Sequence, residues 1–261
     1  MNQLLANIHP EAQIAQNVIV EPFSTIQRNV VIGEGTWIGP NVTLMEGARI
    51  GKNCKIFPGA VISGVPQDLK FRGEETTAEI GDNTVIRECV TISRGTADKH
   101  KTVIGSDCLL MAYVHVAHDC VIGNRVILAN CVQLAGHVTI DDWAIVGGTS
   151  AIHQFVRIGA HVMIAGGSLI RKDVPPFVTA AREPLGYAGI NSIGLRRRGF
   201  ANETINEIQE VYRYIYLKGK NHMKALEIIR NELPQSNERD QIIDFIANSE
   251  RGIMKGYEGD E

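Results

Sequence analysis

The 261-residue chain predicts a mainly β fold, a parallel β-helix followed by a C-terminal α-helical domain. Three observations carry the prediction. A strict six-residue hydrophobic period runs from Ile8 to Ile170. Gly, Asn and Asp recur within the hexads, where tight turns favour residues that tolerate positive φ. After Val174-Pro175-Pro176 the period of six gives way to helical spacing.

Counting by six from Ile8 meets Ile, Val or Leu at every position to Ile62. The same is true of Ile80, Ile86 and Ile92, and of every sixth position from Ile104 to Ile170. Asp68, Glu74 and Asp98 interrupt the frame, so inserted loops are expected at about 63–79 and 97–103. A helix repeats at 3.6 and a simple strand at 2, and neither yields a strict six. A hexapeptide repeat makes one short strand and one turn per hexad. Three hexads close a triangular coil, with the aliphatic side chain pointing inward. Coils stack at the strand spacing, so about eight coils give a prism roughly 40 Å long. Its flat faces invite self-association, and its ends need capping.

The prism is assigned to residues 1–175, a connector to 176–190 and the helical cap to 191–261. Asn202 is expected to cap a helix in which Ile205, Ile208, Val211, Tyr212 and Ile215 share one face, with Gly219 as its C-cap. HMKALEIIRNEL (222–233) and ERDQIIDFIANS (238–249) read as two further amphipathic helices.

Composition narrows the class. The chain is 44% hydrophobic and 21% charged, with a net charge of −3, so no basic field points to nucleic acid. Its start, MNQLLANIHPEAQ, lacks a basic signal-peptide region, and no apolar run long enough to span a membrane follows. A cytoplasmic location is expected, with no membrane insertion. There Cys54, Cys89, Cys108, Cys120 and Cys131 stay reduced, and none forms a CxxC pair.

The repeat places the candidate site. In HVAHDC (115–120), His118 lies two residues after frame position Val116. His137 lies three after Leu134, and His153 one after Ile152. The three therefore share one edge of consecutive coils. A zinc site needs its ligands to converge within about 2.1 Å of one point, which stacked coils of one chain do not readily provide, although a site between subunits could. A general base needs one imidazole, a group that orients it and a donor for the oxyanion. His118, Asp119 and the Gly136 N–H offer these. No metal is expected.

PQDLK (66–70), HVAHDC, LAGHV (134–138), IHQF (152–155), DVPPF (173–177) and LRRRGF (195–200) stand in order on this frame. Together they resemble the acyl-carrier-protein–UDP-N-acetylglucosamine O-acyltransferases of lipid A biosynthesis, over essentially the whole chain. The resemblance implies a left-handed β-helix and a homotrimer with active sites between subunits. It implies transfer of an (R)-3-hydroxyacyl group from acyl-carrier protein to the 3-hydroxyl of UDP-N-acetylglucosamine. No resident cofactor is implied, because the donor rides on the carrier's phosphopantetheine. His118 matches the general base, Asp119 its orienting acid and Gly136 the oxyanion donor. Lys70, beside Gln67 and Asp68, matches a substrate-binding lysine expected to reach a neighbouring subunit's cleft. His115, His137, His153 and Gln154 match substrate contacts, and Asn191 and Arg197 nucleotide contacts. Arg196, Arg197 and Arg198 suit pyrophosphate or the acidic carrier protein.

Two positions depart from the family pattern: Ile193 stands where an acidic residue is common, and Ser93 where histidine is common. Gly166, in Ile164-Ala165-Gly166-Gly167-Ser168, stands where a bulky residue would stop the acyl chain. The connector's Arg182-Glu183-Pro184 brings no aromatic or imidazole to close the far end. A long acyl chain of about 14 carbons or more is therefore expected. The related N-acyltransferase carries an extra N-terminal domain, for which a repeat beginning at Ile8 leaves no room. Acylation of a 3-amino sugar analogue remains open. A γ-carbonic-anhydrase-like zinc site and a non-catalytic scaffold are the alternatives from other classes.

Overall fold

A computed structural model describes residues 5–216 and 221–256. Three sheets, A, B and C, of nine, eight and ten strands, form the sides of a prism. Each sheet takes every third strand of the repeat, so the chain passes from sheet A to B to C and back. The family of Val116, Leu134, Ile152 and Ile170 stacks in parallel register on sheet A, each residue one coil beyond the last.

The frame residues are the core. All but Ile8 and Ile14, at the N-terminal end, are at most 4% exposed. A second inward column, two residues before each frame position, is built of small side chains such as Val30, Val42, Ala60, Val114 and Val132. At several polar positions of this column the side chain donates to a carbonyl of the next coil. Ser24 reaches Gly39 O at 2.7 Å, Thr36 reaches Gly51 O at 2.9 Å and Cys120 reaches Ala135 O at 3.2 Å. Cys54 and Cys108 do the same toward Gly81 and Gly123. Burial pushes the Cys108 thiol up to about 11 and the Cys120 thiol up to about 12. These cysteines are packing residues, and none is a thiolate near neutral pH.

The residue three beyond a frame position adopts positive φ at turn after turn. Asn29 (54°) and Asn41 (57°) are the easy cases, but Asp119 (60°), His137 (62°) and Phe155 (65°) occupy the same turn.

Both loops open at one corner. On sheet A, Ile62 pairs with Ile92 and Ile92 with Val116. Uninterrupted coils would have paired Ile62 with Ile80 and Ile92 with Leu110. The excess lies in residues 65–76 and 94–100, which leave sheet A and rejoin sheet B. Each excess is a whole number of hexads, which is why the frame resumes in step.

The segment expected to be a connector instead extends sheet C. Val178–Ala181 pairs in parallel with Met163 and Ile164, and Gly186–Ile190 folds back antiparallel on it. Its VTAA stretch alternates with period two, which supplies strand geometry without a hexad.

The cap begins with a short helix that the periodicity did not reveal, α1 (Ser192–Arg197). Three helices follow, α2 (Asn202–Tyr216), α3 (His222–Glu232) and α4 (Asn237–Ala247). In α2 the buried residues are the expected Ile205, Ile208, Val211, Tyr212 and Ile215. Asn202 opens α2 rather than capping it, and its Oδ1 accepts from Arg196 Nε at 3.1 Å. Gly219 lies outside the described residues. Among the described residues, no helix is long and apolar enough to cross a membrane.

Candidate active site

The corner between sheets A and B gathers the histidine edge and both loops. His118 stands two residues past its frame position and is 8% exposed. Its ring lies against Gly136 of the next coil. A Cβ at Gly136 would sit 2.7 Å from His118 Cε1 and 2.8 Å from Nε2. Glycine at 136 thus makes room for the imidazole.

Asp119 is fully buried, and its Oδ2 lies 2.8 Å from His118 Nδ1. The same oxygen accepts from Thr96 Oγ1 at 2.6 Å. Oδ1 accepts the backbone N–H groups of Thr96 at 3.0 Å and Lys99 at 3.2 Å. Burial pushes the Asp119 carboxyl up, but the bonds from Thr96, His118 and Lys99 outweigh it and hold the group below the usual carboxylate value. An ionised Asp119 only accepts, so Nδ1 carries the proton and the lone pair stands on His118 Nε2.

His137 meets His118 edge to face, with ring centroids 5.1 Å apart, and stacks on Phe155 at 4.6 Å. Its Nε2 is 3.8 Å from Asp119 Oδ2, and its Nδ1 is 3.3 Å from Asp98 Oδ2. Nδ1 makes no hydrogen bond, so the Asp98 contact is a charge proximity without the required alignment. Burial lowers the His137 pKa, which keeps the ring neutral near pH 7. One ligand atom each from His118, Asp119 and His137 lies within 4.8 Å of the others. The Asp119 carboxylate there already accepts four hydrogen bonds, from Thr96 Oγ1, Thr96 N, Lys99 N and His118 Nδ1.

A cavity of about 330 Å³ opens beside this cluster, lined by Asp68, Lys70, Asp98, His137, Gln154 and Phe155 among others. The 65–76 loop springs from the same corner as the histidines, so Lys70 lines the cavity of its own chain. The expected reach into a neighbouring cleft is not needed to bring it beside His137.

A second cluster occupies the corner between sheets B and C. Trp143 and His161 stack there with ring centroids 6.2 Å apart, and Phe177 and Phe200 pack on His161 at 5.6 and 5.1 Å. Arg125 and Arg198 lie over the Trp143 ring at 4.9 and 5.3 Å. Arg198 also donates to Trp143 O at 2.9 Å. Burial first, and then the Arg198 charge, push the His161 imidazole down to about 4. Asn191 caps α1, accepting from Gly194 N at 3.2 Å and donating to His161 O at 2.9 Å. Arg197, Arg198 and Gly194 share a cavity of about 560 Å³ with Trp143 and the outer face of sheet C.

Known proteins match this arrangement along its length. A family model described as UDP N-acetylglucosamine O-acyltransferase, domain 2, matches residues 173–254. A bacterial transferase hexapeptide model of six repeats matches 29–64 and 101–136. An acyl-[acyl-carrier-protein]–UDP-N-acetylglucosamine O-acyltransferase from Thiobacillus denitrificans is 46% identical over 191 residues, 73% of this chain and 74% of that one. One of the same name from Burkholderia lata is 46% identical over 201 residues, 75% of this chain and 77% of that one. The chain belongs to this acyltransferase family. A solved UDP-N-acetylglucosamine acyltransferase from Bacteroides fragilis superposes with a TM-score of 0.95 at 53% identity, covering 98% of this chain and all of that one. The Arabidopsis enzyme superposes at 0.83 with 32% identity, over 97% of this chain and 99% of that one. The fold is the left-handed β-helix of these acyltransferases.

On this acyltransferase scaffold, His118, Asp119, Gly136 and His137 cluster, and Asp68, Lys70 and Gln154 border the same cavity. Gln67 is exposed on the same loop. His153 is exposed on the edge, with Nδ1 3.1 Å from Gln154 O. His115 stands apart on the outer face of sheet A, 2.7 Å from Thr91 Oγ1. Asn191, Arg197 and Arg198 belong to the B/C corner, and Gly166 to the C/A corner. Thr96, Lys99 and Phe155 escaped the sequence reading. The first two sit in a loop outside the frame. Counting which strands the loops join would have placed them beside the histidines.

Proposed function

We propose that this acyltransferase moves an (R)-3-hydroxyacyl group from acyl-carrier protein to the 3-hydroxyl of UDP-N-acetylglucosamine, the first step of lipid A biosynthesis. One observation carries the mechanism: the 2.8 Å contact between His118 Nδ1 and a buried, multiply bonded Asp119. It leaves Nε2 as the basic atom. His118 takes the proton of the sugar hydroxyl as that oxygen attacks the thioester carbonyl. The Gly136 N–H, which takes no acceptor among the described residues, stabilises the oxyanion. Collapse breaks the C–S bond, and the imidazolium returns its proton to the leaving thiolate. Transfer is direct, because among the described residues those that line the cavity include no serine or cysteine.

Self-association completes the site. Within one chain the histidines lie at the A/B corner, while Arg197 and Asn191 lie at the B/C corner. A nucleotide sugar bound at both needs a second copy. The outer face of sheet C, with Ile19, Trp37, Val85, Leu109, Ile127, Ile145 and Met163, is apolar enough to meet one. The homotrimer that the family resemblance implies would supply that second copy.

Purified protein is offered 3-hydroxyacyl carrier proteins of several lengths with UDP-N-acetylglucosamine or its 3-amino analogue, and the product is weighed by mass spectrometry. An ester of the first acceptor is expected, and exclusive amide formation on the second would redirect the assignment. His118→Ala should lower kcat by about 10²–10⁴-fold with folding retained. Near-normal turnover in that variant sinks the base assignment. Activity should survive a strong chelator, and its loss with recovery on adding zinc would favour a metal centre.

A further inference from the structure

We infer that Thr96 is a positioning residue for the transfer, holding Asp119 through the same oxygen that meets His118 and so setting how readily His118 takes a proton. The inference rests on His118 being the base. Thr96 belongs to the 94–100 segment, which enters the A/B corner from the coil below the histidines, and it is 8% exposed. Its hydroxyl has a defined direction. Oγ1 accepts the Asp98 N–H at 3.3 Å, and its single hydrogen goes to Asp119 Oδ2 at 2.6 Å. Thr96 N and Lys99 N fill Oδ1, so the carboxylate cannot rotate freely.

The consequence follows from sharing one anionic oxygen between two donors. Each hydrogen bond to Oδ2 draws on the same negative charge, so the Thr96 hydroxyl weakens what Asp119 can offer an imidazolium. Removing that hydroxyl leaves Oδ2 to His118 alone and raises the proton affinity of the pair. The other groups facing the pair are charged or titratable. They are His137, with Nε2 3.8 Å from Oδ2, and Asp98 beyond it. Lys99 Nζ donates to Asp119 O at 3.2 Å, and Asp68, Lys70 and Glu74 stand across the cavity. Thr96 alone among these touches Oδ2 closely without carrying charge, so its removal changes the sharing and not the net charge.

The test is the pH dependence of kcat/KM for wild type, Thr96→Val, Thr96→Ala and Thr96→Ser. The acid limb reports protonation of the coupled His118–Asp119 pair in the free enzyme. Its midpoint should rise by about half to one pH unit in the Val and Ala variants, the proton-affinity equivalent of one hydrogen bond. Thr96→Ser should restore the wild-type midpoint. A purely structural role would lower kcat at every pH without moving the midpoint. An unmoved midpoint in Val and Ala, or an equal shift in Ser, overturns the inference. Loss of folding in both Val and Ala also counts against it, because the hydroxyl would then serve the fold. His118→Ala is assayed alongside. If that variant stays active the base assignment itself fails. If it is inactive while the Thr96 midpoints stay put, only the role of Thr96 is rejected.

Discussion

At the scale of single residues, the two imidazoles that define the corners sit in opposite surroundings. His118 is tied to an ionised carboxylate, whereas His161 is packed among Trp143, Phe177 and Phe200 with Arg198 Nη1 3.4 Å from its Nδ1. A guanidinium can donate to Nδ1 only while that nitrogen is unprotonated. His161 is pushed from 6.5 to about 4, and the sign of its effect on stability follows. Above pH 6.5 both the folded and unfolded states hold it neutral. Between 6.5 and about 4 the unfolded chain takes up a proton that the folded chain refuses, so stability falls as pH falls through that window. His161→Phe keeps a ring in the stack and removes the titration. Its Tm should decline less steeply than wild type from pH 6.5 to 4, read by differential scanning calorimetry. Parallel declines would show that His161 does not carry the linkage.

At the scale of elements, the turn after Met163–Ile164 separates two adjacent glycines by their roles. Gly167 has φ +73° and fills the left-handed turn position, so the hexad geometry accounts for it. Gly166 has no such need. A Cβ there would meet backbone of the coil below, Gly148 O at 3.1 Å, Gly148 N at 3.6 Å and Gly147 C at 3.9 Å. The absence of a side chain at 166 is what the expected acyl-chain groove at the C/A corner would need. Gly166→Met should shorten the preferred donor by several carbons without abolishing turnover. Each methylene buried is worth about 0.8 kcal/mol, so two carbons change preference by roughly tenfold. A competition assay with mixed-length donors measures this. An unchanged profile, or a wild type that prefers a ten-carbon donor (about four methylenes shorter than expected), places the ruler elsewhere.

At the scale of the whole molecule, three sheets force three corners, and the candidate site residues are divided among them. His118 and Lys70 share the A/B corner, while Arg197 sits at B/C. A trimer built around one axis brings different corners of adjacent chains together. Two defective chains should then complement each other. His118→Ala and Arg197→Ala, each impaired alone, should recover activity when unfolded together and reassembled. The recovery should approach about a quarter of wild type, the chance that an interface pairs the two intact partners. Light scattering checks the assembly. No recovery from well-mixed trimers would mean that one chain supplies both groups.

The amino-acid order alone determined the prism, its inward column and the helical face of α2, because a period of six admits one simple closed solution and 3.6 another. It also aligned His118, Gly136 and His137, since residues three hexads apart stack wherever no loop intervenes. The motifs carried the family. Other features were illegible for stated physical reasons. Loop conformation has no period, so Thr96, Lys99 and Asp98 could not be seen to converge on Asp119 and His137. The small second column hid because Val, Cys, Ser and Thr share volume and not polarity. The strands at 178–181 and 186–190 exist because sheet C offers an unpaired edge, a property of the folded prism and not of the segment. The cluster of Trp143, His161, Phe177 and Phe200 likewise needed the fold. Its members come from separate coils and from the start of the cap, and only coil stacking and the cap's return bring their rings together.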